Sequence, residues 1–235
     1  MATGLKQFFA PRGTRENKSV AEYLIRPNAL DGAALQRIRE GFLASPLVGR
    51  STLAGSFQGS YGLAITFTAA GRLELIRRYP ELEAALDALT APASFGAPPN
   101  AWYLNLLLLP AGRGVGRHTD GTLRKPADAP DALPVCVSVL YLVAPSGSGA
   151  LQLFEWDRCV AELPPEEGAV IHFAGALEHA VASGPADRKS LVLEQYRLPD
   201  EAVARLPAFK VDSRAGFAAH LRDHAARPGK KLDLE

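Results

Sequence analysis

The chain has 235 residues, 47% apolar and 22% charged, an ordinary balance for a globular protein with a sizeable core in one large domain or two small ones. Lys and Arg number 26 against 25 Asp and Glu, and a net charge of +1 gives no long-range pull on a polyanion, which argues against nucleic acid as a partner. Cys136 and Cys159 are too few for a disulfide framework, so a reducing, cytoplasmic compartment is expected and both are read as inert small apolar groups.

The first residues, MATGLKQFFAPRGTRENKSV, contain no signal-peptide hydrophobic region. The longest apolar run, Leu104 to Pro110 with Asn105 inside it, is far too short to cross a bilayer. Residues 1–27 read as a polar, irregular arm. From Asp31, a candidate N-cap, Ala34, Leu35, Ile38 and Phe42 recur at helical spacing. Residues 44–68 mix Gly and Ser with short apolar pieces and give no assignment. Arg72 to Leu89 reads as helix, with Pro80 opening a second piece.

After APASFGAPP at 91–99 the pattern changes to short β-prone runs: 101–109, 114–119, 135–143, 149–154, 158–162, 168–173, 177–182 and 188–197. Runs at this spacing predict a sandwich or barrel rather than alternating βαβ units. The loop 121–134, with three prolines, reads as a surface excursion, and 200–206 and 213–225 as closing helices. The expected fold is mainly β with supporting helices, a double-stranded β-helix (jelly roll). It forms a single domain over 1–235: 1–99 helical support and substrate elements, 100–197 the β core, 198–235 C-terminal helices.

RHTDGTL, residues 117–123, places His118 and Asp120 two apart, so on an extended strand both leave by the same face. His179, in EGAVIHFAGALEHAVASG, offers a third donor. Two imidazoles and one carboxylate leave about three coordination positions open, the donor set of non-haem Fe(II) oxygenases. Nine positions later comes Arg188, sharing a strand face with Ser190, Val192, Glu194 and Tyr196. A guanidinium directed into a barrel is costly unless it meets an anion, and its planar fork matches a carboxylate.

Other polar residues carry two readings each. Tyr103 and Asn105 share a face of the first β run and could reach the pocket or pack within the barrel. Glu194 either receives a cationic substrate group or pairs with an arginine. Arg117, Arg124 and Lys125 flank the expected mouth, as carboxylate contacts or as solvated charges. His172 reads as a core histidine. His220 and His224 have zinc-compatible i, i+4 spacing, but a solvated helix face is favoured. Trp102 and Trp156 are expected to pack.

Taken together, His118-x-Asp120, His179 and Arg188-x-Ser190, with "SVLYLV", "SGSGALQLFE" and "EGAVIHFAGALEHAVASGPADRKSLVL", resemble the Fe(II)/2-oxoglutarate-dependent dioxygenase superfamily. The similarity is greatest to its prolyl-hydroxylase-like branch and spans residues 100–197. The resemblance implies that His118, Asp120 and His179 ligate iron, and that Arg188, Tyr141 and Ser190 bind 2-oxoglutarate. It implies a dioxygenase using Fe(II), 2-oxoglutarate and O2, with ascorbate as reductant. Such an enzyme hydroxylates a C–H bond of an amino-acid-like metabolite or of a protein residue and releases succinate and CO2.

Asp120 favours hydroxylation or desaturation over halogenation, because related halogenases have a small residue there. Gly147-Ser148-Gly149-Ala150 departs from the Gly-Gly-acid of many relatives, which bears on any substrate contact from Gln152. Nucleic-acid demethylases of the superfamily carry a second arginine six residues after the first, where this chain has Glu194. The expected partner is a small molecule or a peptide, with no membrane. The alternatives are a non-catalytic β-helix binding or regulatory module, a nucleic-acid demethylase, and a cupin-type enzyme independent of 2-oxoglutarate.

Overall fold

The computed structural model describes residues 22–53, 55–123 and 133–215. In chain order the elements are β1 (Tyr23–Arg26), α1 (Gly32–Glu40), β2 (Gly49–Arg50), β3 (Tyr61–Thr68), α2 (Arg72–Arg78), α3 (Glu83–Leu89), β4 (Ala101–Leu109) and β5 (Val115–His118). They continue with β6 (Cys136–Val143), β7 (Leu151–Glu155), β8 (Arg158–Leu163), β9 (Val170–Ala174), β10 (Glu178–Val181), β11 (Arg188–Tyr196), α4 (Asp200–Val203) and β12 (Phe209–Asp212). All eight β runs expected after residue 100 are strands, within two residues at each end.

The strands form two antiparallel sheets. The larger has the order β1-β9-β6-β11-β4-β3-β12, with β2 paired to β3; the smaller is β5-β10-β7-β8. This is the expected jelly roll, and the alternation of side chains shows how the large sheet serves two layers. Leu104 and Leu106 of β4, Leu140 and Leu142 of β6, and Leu191 and Leu193 of β11 pack with Leu35, Ile38, Leu82, Leu86 and Leu89 of the helical layer. The intervening residues, Leu107, Val139, Tyr141 and Val192, face the small sheet and meet Leu151, Leu153 and Val181. A strand buried on both faces reads as a continuous apolar run, which accounts for LNLLLL. Burying each of these leucines contributes about 1.5–3 kcal/mol.

The helical layer follows the predicted signals. The Asp31 carboxylate accepts from the Ala34 N–H at 2.7 Å and caps α1. Pro80 removes the backbone donor that would continue α2, and the chain passes through a 3-10 turn at Pro80–Leu82 into α3.

Several expectations need correction. Residues 1–99 are not only helical support: β3, in the unassigned stretch 44–68, pairs along its whole length with β4, and β1 extends the large sheet beside β9. Seven of the eight β3 residues are buried, so no polar alternation marks the strand. Gly62 in β3 has φ +154, and a Cβ there would sit 1.6 Å from the Leu106 carbonyl oxygen, so the approach of β3 to β4 requires glycine. After α4 the chain forms strand β12 on β3, not a helix. The rest of the expected helix 213–225, beyond residue 215, lies outside the described residues, as do His220, His224, Arg124 and Lys125. Trp156 does not pack: it is 89% exposed, with φ +53, in the β7–β8 turn. Trp102 does, stacked on Phe67 at 5.3 Å. Cys136 is buried as expected, whereas Cys159 is exposed.

Candidate metal and co-substrate site

Strand pairing builds the metal-ligand set. His118 ends β5, and His179 lies directly opposite it on β10. Asp120, two residues beyond His118, completes the group: one donor atom from each of the three lies within 4.8 Å of the others. The imidazoles are held by their surroundings, the Phe57 ring edge-on to His118 at 5.1 Å and Phe173 edge-on to His179 at 4.9 Å.

Hydrogen bonding orients the donors inward. His118 Nδ1 lies 2.8 Å from the Gly116 carbonyl, which makes Nδ1 the protonated nitrogen and leaves the Nε2 lone pair facing Asp120 Oδ1 at 3.4 Å. His179 Nδ1 faces the Leu177 carbonyl at 3.3 Å, and its Nε2 stands 3.5 Å from Asp120 Oδ2. Three acceptor-bearing groups thus converge, and His118 Nε2 and Asp120 Oδ2 are buried without a hydrogen-bond partner. Such an arrangement requires a shared cation, a proton or a metal ion, because facing lone pairs repel and burial is costly. Burial alone would lower the His118 pKa and raise that of Asp120. The attraction between them reverses both, leaving His118 above and Asp120 below the usual value. His179 is lowered by burial, which its Asp120 contact offsets only in part. A divalent metal fits this donor set.

A second convergence lies in the same cleft. Arg188 opens β11, buried, with Nη1 donating to the Gly149 carbonyl at 2.9 Å and Nε without a partner. Its guanidinium carbon stands 5.5 Å above the Tyr141 ring. Ser190 pairs with Tyr141 across the β11–β6 ladder, and the Ser190 Oγ and Tyr141 Oη are also buried without partners. Burial pushes the Tyr141 hydroxyl up to about 12, partly countered by Arg188, so it stays a donor. Three unsatisfied donors in one apolar corner fit a carboxylate. A small residue at 149 is required: a Cβ on Gly149 would lie 1.6 Å from the Ala182 carbonyl oxygen. The glycine run is thus a close-approach device whose carbonyl also anchors Arg188.

The cleft between the sheets is tight, with about 30 Å3 open to a water-sized molecule. It is lined by the triad, by Arg188 and Tyr141, and by Leu107, Val115, Val139, Leu151, Val181 and Val192. Asn105 lines it too, its amide without a hydrogen-bond partner among the described residues. Glu194 lines its far end and pairs with no arginine among the described residues. Its carboxylate is 3% exposed and accepts from Thr122 N at 3.0 Å, from Thr122 Oγ1 at 2.6 Å and from the Tyr196 hydroxyl. Glu194 therefore anchors the chain just after Asp120. Burial, and then the Asp120 charge, push its pKa up to about 7.

Other predicted contacts fall outside this cleft. Arg117 pairs with Glu178 and Asp157, donates to the Trp156 carbonyl and covers the Phe154 ring at 4.6 Å. Gln152, between inward Leu151 and Leu153, leaves by the other face of β7 and reaches Glu162 at 3.4 Å. Tyr103 lines a neighbouring cavity with Thr52, Leu53, Thr122 and Arg214. His172 is a core residue as expected: its Nδ1 meets Ser138 Oγ at 2.7 Å, and burial brings its pKa to about 4. Sequence reasoning missed Leu53 and Phe57, which wall the cleft from the unassigned stretch, and no periodicity in that stretch signals them.

No protein-family model matches the chain, and no curated protein matches its sequence. Solved structures do match its fold. A prolyl-4-hydroxylase from Pseudomonas putida is 18% identical, with 76% of this chain and 94% of that chain covered at a TM-score of 0.50. A prolyl hydroxylase from Trichoplax adhaerens, in complex with a hypoxia inducible factor peptide fragment, is 14% identical, covering 79% and 87% at a TM-score of 0.53. The non-haem α-ketoglutarate-dependent carbocyclase SnoK from nogalamycin biosynthesis is 15% identical, covering 82% and 92% at 0.51. Among the described residues no helix is long and apolar enough to cross a membrane. The chain has the jelly-roll fold of the prolyl hydroxylases and related 2-oxoglutarate/iron oxygenases.

Proposed function

We propose that the protein is an Fe(II)- and 2-oxoglutarate-dependent oxygenase that hydroxylates a C–H bond of a small molecule or of a peptide residue and releases succinate and CO2. The observation that carries this reading is the meeting, in one cleft, of a two-histidine, one-aspartate cluster and a separate corner of three unsatisfied donors. His118, Asp120 and His179 would hold the metal, a donor set of three that would leave room for the co-substrate. With 2-oxoglutarate, Fe(II) supplies the oxidising chemistry, coupling decarboxylation of the co-substrate to oxidation of the substrate. Arg188, Tyr141 and Ser190 bind the carboxylate far from the metal and so orient the co-substrate. The leucine and valine walls exclude water, which strengthens each charge contact inside. Glu194 keeps Asp120 in place through Thr122. Asn105 offers its amide to the substrate.

Two rival readings have less support. A demethylase acting on nucleic acid would use a cation where Glu194 is a buried, hydrogen-bonded carboxyl. A purely binding module gains nothing from a buried guanidinium with one unsatisfied nitrogen.

Anaerobic addition of Fe(II) and 2-oxoglutarate is the test. A visible metal-to-ligand charge-transfer band is expected in the wild type and none in His179→Ala, and admitting oxygen, with ascorbate as reductant, should yield succinate. Absence of the band in the wild type would overturn the proposal.

A further inference from the structure

A cavity of about 710 Å3 adjoins the metal cleft and shares Leu53 and Phe57 with it. Three arginines line it, from places far apart in the sequence: Arg50 at the end of β2, Arg113 in the turn between β4 and β5, and Arg214 just after β12. The fold brings them together, since β12 and β2 both pair with β3 and Gly49 packs against Arg214 and Ala215. Among the described residues no aspartate or glutamate lines the cavity. Arg214 Nη2 donates to the Thr52 carbonyl at 3.1 Å, whereas the guanidinium groups of Arg50 and Arg113 have neither ion pair nor hydrogen bond among the described residues. Elsewhere in the described chain Arg39, Arg72, Arg77 and Arg117 each meet a carboxylate. The concentration of positive charge in this one concavity stands out against a net charge of only +1.

Three guanidiniums around a concave space repel one another and focus a positive potential into it, and planar N–H forks match carboxylate or phosphate oxygens. The wall shared with the metal cleft is apolar, and Phe57 touches the metal ligand His118. The 2-oxoglutarate corner is separate, because none of Arg188, Tyr141 and Ser190 lines this cavity. We infer that the substrate is a small organic anion whose carboxylate or phosphate group is held by Arg50, Arg113 and Arg214, and whose apolar part passes Leu53 and Phe57 to present a C–H bond at the metal. This inference rests on the oxygenase reading above and narrows its substrate class.

The test uses the full chain loaded with Zn(II) and 2-oxoglutarate, titrated calorimetrically with hexanoate, hexyl phosphate and their neutral counterparts hexanamide and hexanol. At least one anion should bind, the neutral counterparts should not, and binding should weaken with added NaCl because the site is exposed. The stronger of the two anions identifies the headgroup. Arg50→Glu together with Arg113→Glu should lower anion affinity about tenfold or more while leaving the anaerobic Fe(II)/2-oxoglutarate band intact. Failure of both anions to bind, equal binding of the neutral counterparts, or unchanged affinity in the double variant would overturn the inference. Absence of the band in the wild type would instead overturn the oxygenase reading.

Discussion

Arg188→Met isolates the co-substrate corner. The substitution keeps a long apolar stem against Tyr141 but removes the only permanent charge among the three unsatisfied donors. A charge-assisted hydrogen bond contributes about 1.5–3 kcal/mol, so loss of one such contact weakens 2-oxoglutarate binding about 10- to 150-fold. Ligand at 100 times its dissociation constant stabilises a folded protein by about 2.7 kcal/mol. At the same concentration the variant should retain only about 0.3–1.3 kcal/mol. Urea denaturation of the Zn(II)-loaded protein, with and without 2-oxoglutarate, measures this directly, and the difference within each protein cancels any effect of the substitution on the ligand-free fold. The wild type should gain its full increment and the variant a fraction of it. A variant that keeps an increment above about 2.5 kcal/mol would refute the assignment of Arg188 as the carboxylate anchor.

Tyr141→Phe should raise the KM for 2-oxoglutarate several-fold, up to roughly tenfold, with little change in ligand-free stability, because the buried hydroxyl has no partner to lose. Steady-state succinate release checks it. In metal-free protein, Glu194 binds its proton more tightly folded than unfolded, so its contribution to stability is full below pH 4.5 and is lost as the pH rises to about 7. Glu194→Gln removes that dependence. Between pH 5 and pH 8 the wild type should lose about 2–3 kcal/mol relative to the variant, and parallel stability curves would contradict the assignment. Gly62→Ala should cost on the order of 3 kcal/mol or more, read as a lower melting temperature, because its Cβ would overlap the Leu106 carbonyl.

The local pattern of the sequence carries the β core and the metal triad. Eight β-prone runs separated by turn residues appear as strands β4 to β11, and a two-residue spacing is enough to place His118 and Asp120 on one face. Period-two alternation likewise put Arg188, Val192 and Glu194 toward the cleft that they line. The N-cap at Asp31 and the break at Pro80 are legible for the same reason: each acts on hydrogen bonds within a few residues of itself.

What depends on long-range pairing was not legible. The strand β3 is apolar on both faces, so nothing local separates it from a loop or a buried helix segment, and only its ladder to β4 defines it. Glu194 could be read as facing inward, but its partner Thr122 is 72 residues away and is brought to it only by the packing of the two sheets. Trp156 is hydrophobic by composition and exposed by position, because a tight turn with positive φ directs it to solvent. The cationic cavity is the extreme case: Arg50, Arg113 and Arg214 are ordinary charges in sequence, and only the addition of β2 and β12 to β3 brings two of them to one edge. The sequence by itself determined the strand periodicity and the chemistry of the donors, since side-chain direction follows from the backbone repeat. Tertiary structure alone decided which donors share a cavity, because that depends on contacts between residues with no local relation to one another.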